Sequence, residues 1–303
     1  MDHNAEFLVF GATGQQGGAV ARALKVNGRK VRAFVRDPES GKAKALAAEG
    51  FSLVVGDLFD LDSIDRAIVG IAGLFSVQTS SPAGEITDEQ EVWQGKAIAD
   101  SALRQGVGHL VYSSGGAAGK GPTGMGHFDS KSEIEGYVRS LPIKSTITRP
   151  ASFMEMMLLP GMGLPQSEFT FFMRPEQSMQ MIAVDDLGRI NAEILFAPDR
   201  FAGKAIDLAS ASVTGKEVEQ AFTKAAGKPI VYRRFPEELL ARNPFLNRLT
   251  ELLDNGLLAG AADIPALERE FGHLTSLEEW LVGPGKSLFE NALKDEKAEV
   301  ALR

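Results

Sequence analysis

Apolar positions along the chain fall into short blocks separated by amphipathic stretches. Phe7-Leu8-Val9-Phe10 is apolar without a break and stops at Gly11, which is how a strand buried on both faces reads. Similar blocks recur at 31–35, 51–55, 73–77, 109–112 and 145–148. Helical segments lie between them. Residues 19–26 form one, ended by Asn27-Gly28. Asp62 is placed to cap another that runs through Gly70. Thr87-Asp88-Glu89-Gln90 has the spacing of a capping box. The helix it opens carries Val92, Gly95, Ala99, Ala102 and Leu103 on one face. Strands alternating with helices predict a parallel sheet with right-handed crossovers.

The alternation breaks after Pro150. Seven of the nine methionines lie between Met154 and Met181, with Pro160, Pro165 and Pro175 among them. Such irregular apolar material can fill gaps in a core or form the adaptable wall of an apolar pocket. Residues 184–187 then read as the end of a strand and the cap of a helix through Phe196. Residues 205–208 form a strand able to return to the main sheet. A helix at 214–226, a strand at 230–233 and mostly helical remainder follow, with a charged tail from Lys294. The expected class is α/β: a doubly wound, Rossmann-type parallel sheet with a smaller, mostly helical C-terminal domain. The expected division is 1–153 with 185–210 for the first, and 154–184 with 211–303 for the second.

Composition narrows the function. At 44% apolar and 24% charged, the 303 residues can bury a sizeable core. A net charge of −8 makes the chain a poor overall binder of nucleic acid or anionic membranes. Cysteine is absent, so disulfides, thiolate metal sites and a cysteine nucleophile are excluded. No apolar run reaches the ~18 residues that span a bilayer. The opening residues show no basic segment leading into an apolar stretch and a small-residue cleavage site, so a cytoplasmic location is the expectation.

The strongest chemical signal is Gly11-Ala12-Thr13-Gly14-Gln15-Gln16-Gly17-Gly18. Glycines at 11, 14 and 17 follow a strand and precede a helix. The first permits a tight turn, the second lets backbone approach a pyrophosphate, and the third lets helix pack on strand. The helix start adds N–H donors and the positive end of its dipole. This is a dinucleotide-binding pattern.

The residue ending the second strand selects the dinucleotide. Arg36 stands there, nineteen residues after Gly17, and a guanidinium welcomes the 2′-phosphate of NADP in preference to NAD. Asp37 follows; with the register moved by one it would serve as the acid of an NAD ribose instead. Lys42 and Lys44 are close enough to add charge. Asp57, after the third strand, can accept from an adenine amino group or cap the next helix. Other motifs fail. Gly285-Lys286-Ser287 ends like a phosphate loop, but Trp280 occupies the place of its first glycine. HExxH and GxSxG are absent, and the four histidines (3, 109, 127 and 273) are scattered, so no metal site is expected.

GATGQQGG, Val35-Arg36-Asp37-Pro38, Gly56-Asp57, Glu89-Gln90-Glu91-Val92, His127-Phe128-Asp129-Ser130-Lys131 and Arg149-Pro150 together resemble the NmrA-like family. These are atypical relatives of the short-chain dehydrogenases, close to isoflavone-reductase-like proteins, and the resemblance runs from Phe7 to about Trp280. It implies a dinucleotide held between the sheet domain and the smaller one. It places Gly11, Thr13, Gly14, Gln16 and Gly17 on the pyrophosphate and Arg36 on the 2′-phosphate. Asp57 and Leu58 fall beside adenine, and Gln78 and Thr79 along the ribose path. Ser113, Ser114, Lys131 and the stretch Pro150 to Phe153 surround the nicotinamide end. Some members are NAD(P)-responsive regulators of protein partners; others are reductases.

Short-chain dehydrogenases use Tyr-x-x-x-Lys, which sets both side chains on one helix face. Four residues beyond Tyr112, Tyr137 and Tyr232 stand Gly116, Leu141 and Pro236, so no tyrosine has its lysine. His127 and Lys131 have that spacing instead. Lys131 is a candidate to bind ribose, the alternative being an exposed helix lysine. His127 can act as an acid, position the cofactor or simply pack. A neighbouring ammonium should lower its pKa and leave it neutral. The glycine-rich stretch 115–124 suits a lid or a partner-binding loop, and 79–82 an opposite lip of the cleft or an ordinary surface loop.

Three functions are therefore weighed. The first is an NADP(H)-binding redox sensor with weak or no turnover and a protein partner. The second is an NADPH-dependent reductase of a small apolar carbonyl or quinone. An interaction module with an empty glycine loop is the third.

Overall fold

The computed structural model describes residues 5–79 and 86–295. Two compact units divide the chain: 1–122, 126–149 and 187–206 form the first, and 123–125, 150–186 and 207–303 the second. Ser80, Ser81 and Pro82 of the expected lip lie outside the described residues.

The strands in chain order are β1 (Glu6–Val9), β2 (Lys30–Val35), β3 (Ser52–Val55), β4 (Gly73–Ser76), β5 (His109–Ser113), β6 (Ser145–Pro150), β7 (Ser152–Phe153), β8 (Glu168–Phe171), β9 (Ser178–Ile182), β10 (Ala205–Leu208), β11 (Ala211–Thr214) and β12 (Val231–Arg234). The helices that matter for the first unit are α1 (Gln15–Val26), α2 (Gly41–Ala48), α3 (Leu61–Ile68), α4 (Asp88–Arg104), α5 (Gly126–Ser140) and α6 (Val184–Phe196).

A seven-stranded sheet has the order β10-β6-β5-β4-β1-β2-β3. From β3 across to β6 every pairing is parallel. The chain runs outward from β1 through β2 to β3, then crosses to β4 on the other side. That reversal between β1 and β4 is where an open α/β sheet binds ligands, at the carboxyl ends of its strands. β10 returns to the main sheet as expected, at the edge beside β6, with the Ile147 amide donating to Lys204 O at 2.9 Å.

The helices form for local reasons. At α4 the Thr87 hydroxyl accepts from the Gln90 amide and the Gln90 side chain accepts from the Thr87 amide, completing the expected capping box. α3 departs from the sequence reading. Its cap is Asp60, not Asp62, and it ends at Ile68. Asp60 wins because its carboxylate reaches forward and accepts from the Asp62 amide, Asp62 itself being already inside the first turn. α4 and α5 pack closely because Gly95 has no side chain: a Cβ there would sit 2.7 Å from Cδ1 of Ile134. α1 and α6 approach in the same way, with Gly188 of α6 against the backbone of Ala19.

In the second unit, β9 pairs antiparallel with β11 and parallel with β7, and β12 pairs parallel with β8. Its helices include Gly215–Ala226. Phe169 packs on Phe222, with ring centroids 4.8 Å apart, and Phe222 on Phe289 at 5.0 Å. The methionine-rich segment is more regular than expected. It holds two short 3₁₀ turns and the strands β8 and β9. Met154, Met157, Met162, Met173, Met179 and Met181 are all fully buried and Met156 is partly so. They fill the core of this unit, the first of the two readings of this segment.

Candidate functional site

The carboxyl ends of the parallel strands bring the glycine turn, Arg36, Asp57, Gln78 and Ser113 to one edge of the sheet. Gly11 ends β1 with φ +68°, a conformation that a side chain disfavours, and a Cβ there would also lie 2.6 Å from Val77. The Gly14 amide donates to Gly11 O at 2.9 Å and closes the turn. Gly17 sits directly over it, where a Cβ would be 2.3 Å from that same oxygen. α1 thus starts as close to β1 as backbone allows. Gly14 is its N-cap, no side chain caps it, and its first turn holds no carboxylate. An uncapped helix start with no competing negative charge is a site for an anion. Thr13 is half-buried beside it, and Gln16 accepts from the Ser113 hydroxyl at 2.6 Å, tying α1 to the end of β5.

Gln78, after β4, is 7% exposed. Its amide nitrogen donates to Ser76 at 2.8 Å, while its Oε1 is buried without a partner among the described residues. A buried acceptor left unmatched is costly, and a ligand hydroxyl at this point would satisfy it. Thr79 is exposed beside it. Arg36 is exposed at the end of β2 and makes no hydrogen bond or ion pair among the described residues. Asp37 is committed to the following turn, where its Oδ1 accepts from the Glu39 amide at 2.9 Å. Lys44 pairs with Glu39 at 3.0 Å. Asp57 is likewise part of a turn: its Oδ1 accepts from the Phe59 amide at 2.9 Å, so it does not cap α3. Leu58 is half-buried next to it. An uncapped helix start, a buried orphan acceptor and an unpaired guanidinium on one sheet edge suit a dinucleotide with a phosphorylated ribose.

α5 carries the other candidates. Lys131 is 8% exposed, so it is not a surface lysine. Its ammonium pairs with Glu91 of α4, a carboxylate with no exposure, whose second oxygen accepts from Ser130 at 2.9 Å. His127 lies one turn earlier with its ring 4.1 Å from that of Phe128. Burial first, and then the Lys131 charge, pull its pKa down to about 4 against the opposing pull of Asp88 and Asp129. The expected lowering by lysine is present, with burial the larger cause. A neutral imidazole is a poor proton donor at neutral pH. Tyr112, one residue before the end of β5, is fully buried, and burial, with the charges of Glu91 and Glu135, raises its hydroxyl pKa well above the ordinary value.

The glycine-rich stretch after β5 is anchored at its start. Ala117 and Ala118 are fully buried, and the Gly119 amide donates to Ser132 at 2.9 Å. Beneath Gly119 lies Glu135, fully buried, gripped by Arg149 at 2.9 and 2.6 Å and by Arg139 at 2.7 Å. Burial pushes the Glu135 carboxyl up, but the hydrogen bonds from Arg149, with the charges of Arg149 and Arg139, outweigh it and hold the pKa low. A freely swinging lid over 115–119 does not fit these bonds. Pro150 ends β6 buried and Phe153 is half-buried in β7; both belong to the second unit.

Sequence reasoning missed Glu91 as a site residue. The signal was there: Glu91, Gly95, Ile98 and Ala102 follow a helical period, so a carboxylate stands on the buried face of α4. Glu135 was missed for the same reason on α5. Among the described residues no group of side chains suited to a metal ion occurs. No helix is long and apolar enough to cross a membrane among them.

The chain matches the model of the NmrA-like family over residues 3–281. It is 31% identical over 257 residues to an NmrA-like family domain-containing oxidoreductase of Malbranchea aurantiaca, covering 75% of this chain and 74% of that one. Among solved structures it is similar to NmrA, a negative transcriptional regulator in complex with NADP, with a TM-score of 0.77, 21% identity and coverage of 96% and 98%. It is also similar to the triphenylmethane reductase of a Citrobacter species complexed with NADP(H), with a TM-score of 0.75, 21% identity and coverage of 95% and 100%. At these identities the two structures speak for the fold. The family model, the long relative and the site residues agree, and the chain belongs to the NmrA-like family.

Proposed function

We propose that this chain binds NADP(H) at the carboxyl edge of its parallel sheet and responds to the bound dinucleotide as a redox sensor, with little or no turnover. The binding half rests on the uncapped start of α1, the orphan Gln78 Oε1 and the unpaired Arg36. Gly11, Thr13, Gly14, Gln16 and Gly17 would hold the pyrophosphate, Arg36 the 2′-phosphate, Asp57 and Leu58 the adenine, and Gln78 and Thr79 the ribose. Lys131 and Ser113 would stand at the nicotinamide end. When bound, the nicotinamide supplies a hydride donor or acceptor.

The sensing half is carried by one observation: among the described residues, no side chain at this edge is poised to give a proton at neutral pH. His127 is held neutral, the Lys131 charge is matched by Glu91, and the Tyr112 hydroxyl is buried with its pKa raised. A carbonyl reductase needs such a donor. A protein partner that distinguishes the oxidised from the reduced form would complete the sensor.

A second reading is favoured by the name of the long relative, an oxidoreductase. For an acceptor such as a quinone, solvent can supply the protons, and the missing tyrosine matters less. One experiment separates the two. Calorimetry with NADP and NADPH should give tight binding, and a panel of quinones, aldehydes and triphenylmethane dyes should give no sustained NADPH oxidation. Rapid turnover of any of these establishes the reductase and ends the sensor. Absence of binding ends both.

A further inference from the structure

We propose that Glu91 is a positioning residue that orients Lys131 for the dinucleotide; this deepens the NADP(H) reading above and rests on it. The two residues come from different helices, Glu91 from the first turn of α4 and Lys131 from the second turn of α5. Both are buried, Glu91 completely. The carboxylate uses one oxygen for Lys131 and the other for Ser130. It is therefore fixed from two adjacent residues of α5 and cannot rotate without losing one bond. Gly95, one turn along α4 from Glu91, brings the two helices close enough for this by admitting Ile134.

An ammonium has three N–H donors, and Glu91 takes one. Lys131 makes no other hydrogen bond among the described residues. Its stem lies against the turn that leaves β5, with Cδ 3.6 Å from where a Cβ on Gly115 would be. The lysine is thus a half-satisfied cation, fixed in direction at the carboxyl edge of the sheet, with donors left for hydroxyl groups. Stability does not account for the arrangement. A buried ion pair is commonly no more stabilising than an apolar pair of the same volume, because two desolvations offset the attraction. What it does supply is direction for a side chain that otherwise has four free torsions.

The test separates the two halves of the ligand. Adenosine 2′,5′-bisphosphate carries the adenine and the phosphorylated ribose but lacks the nicotinamide ribose. NADPH carries both. In calorimetry on the full chain, Glu91→Gln should weaken NADPH at least tenfold and leave adenosine 2′,5′-bisphosphate within twofold. Glu91→Asp, which keeps the charge, should recover part of the loss. In a Lys131→Gln background, Glu91→Gln should cost nothing further, because it acts through that lysine. This doubly neutral chain buries no unpaired charge and serves where the single variant fails to fold.

Equal weakening of both probes, no weakening of either, or tighter NADPH binding by Glu91→Gln overturns the proposal while leaving the dinucleotide reading intact. Additive losses in the double variant overturn it as well. A wild-type chain that binds neither probe overturns the dinucleotide reading and this inference together.

Discussion

The α-carbon of Gly17 lies so close to the carbonyl oxygen of Gly11 that a Cβ on it would stand 2.3 Å from that oxygen, with the Gly11 carbon and the Ala12 nitrogen also inside 3 Å. All three atoms are backbone, so nothing nearby can rotate away. Gly17→Ala should therefore push the start of α1 off β1. We expect a stability loss of about 1–3 kcal/mol, typical of overpacking, and a fall of at least tenfold in NADP affinity. Thermal unfolding and calorimetry measure the two. An unchanged NADP affinity would mean that the helix start does not carry the phosphates.

Arg36 should control the choice of coenzyme. Its guanidinium has no partner among the described residues, so its removal leaves no orphaned group behind. Arg36→Ala should cost about 1.5–3 kcal/mol in NADP binding, the range for a hydrogen bond to a charged group. NAD binding should stay within twofold. Equal losses for both dinucleotides would place the 2′-phosphate elsewhere.

The contact of Gly95 with Ile134 predicts a compensating pair. Gly95→Ala alone should destabilise the chain by about 1–3 kcal/mol, because its Cβ meets three atoms of the Ile134 side chain. Ile134→Val in the same chain removes Cδ1, the nearest of them, and should restore part of the loss. Thermal midpoints of the two single variants and the double variant check it, and strict additivity would show that the two side chains do not compete for the same space.

Acid should weaken the fold through its buried histidines. His109 is 1% exposed, and burial first, with help from Lys144, lowers its pKa to about 4 from an ordinary value of 6.5. In the unfolded chain it takes up a proton below that ordinary value, while in the folded chain it resists until about pH 4. The unfolded state thus binds more protons in this window, and stability falls as pH falls through it. Between pH 7 and pH 5 each such histidine should remove about 2 kcal/mol. His127, lowered to about 4 as well, should contribute in the same sense. Unfolding midpoints of wild type and His127→Gln at both pH values test this; the variant should lose less on acidification.

The elements that could be read from sequence are those governed by local rules. Apolar blocks marked β1 to β6, most cleanly β1, β4 and β5, which are buried nearly throughout and so carry little polar alternation. The cap of α4 was legible because Thr87 and Gln90 satisfy each other within four residues. Asp60 and Asp62 were not distinguishable, because two carboxylates two residues apart both fit a cap and only backbone angles choose. The glycine turn and Arg36 were visible because position relative to a strand end decides their role. Glu91 was hidden by a rule that is usually right, that charged residues in a helix face solvent. Its partner stands forty residues away, and no local pattern joins them. The methionines read correctly as gap-filling core; what their proline-broken spacing hid was the regularity of the segment, whose strands pair with residues far along the chain.

The edge strand β10 is made more than fifty residues after β6, the strand it covers. A chain emerging from the ribosome consequently holds the outer rim of β6 bare while the whole intervening segment is synthesised. Truncation after Pro150, where the alternation stops, would leave that rim open for good and strip α6 from α1. Such a fragment should pair with other copies of itself and precipitate, so a minimal coenzyme-binding piece must extend through Leu208.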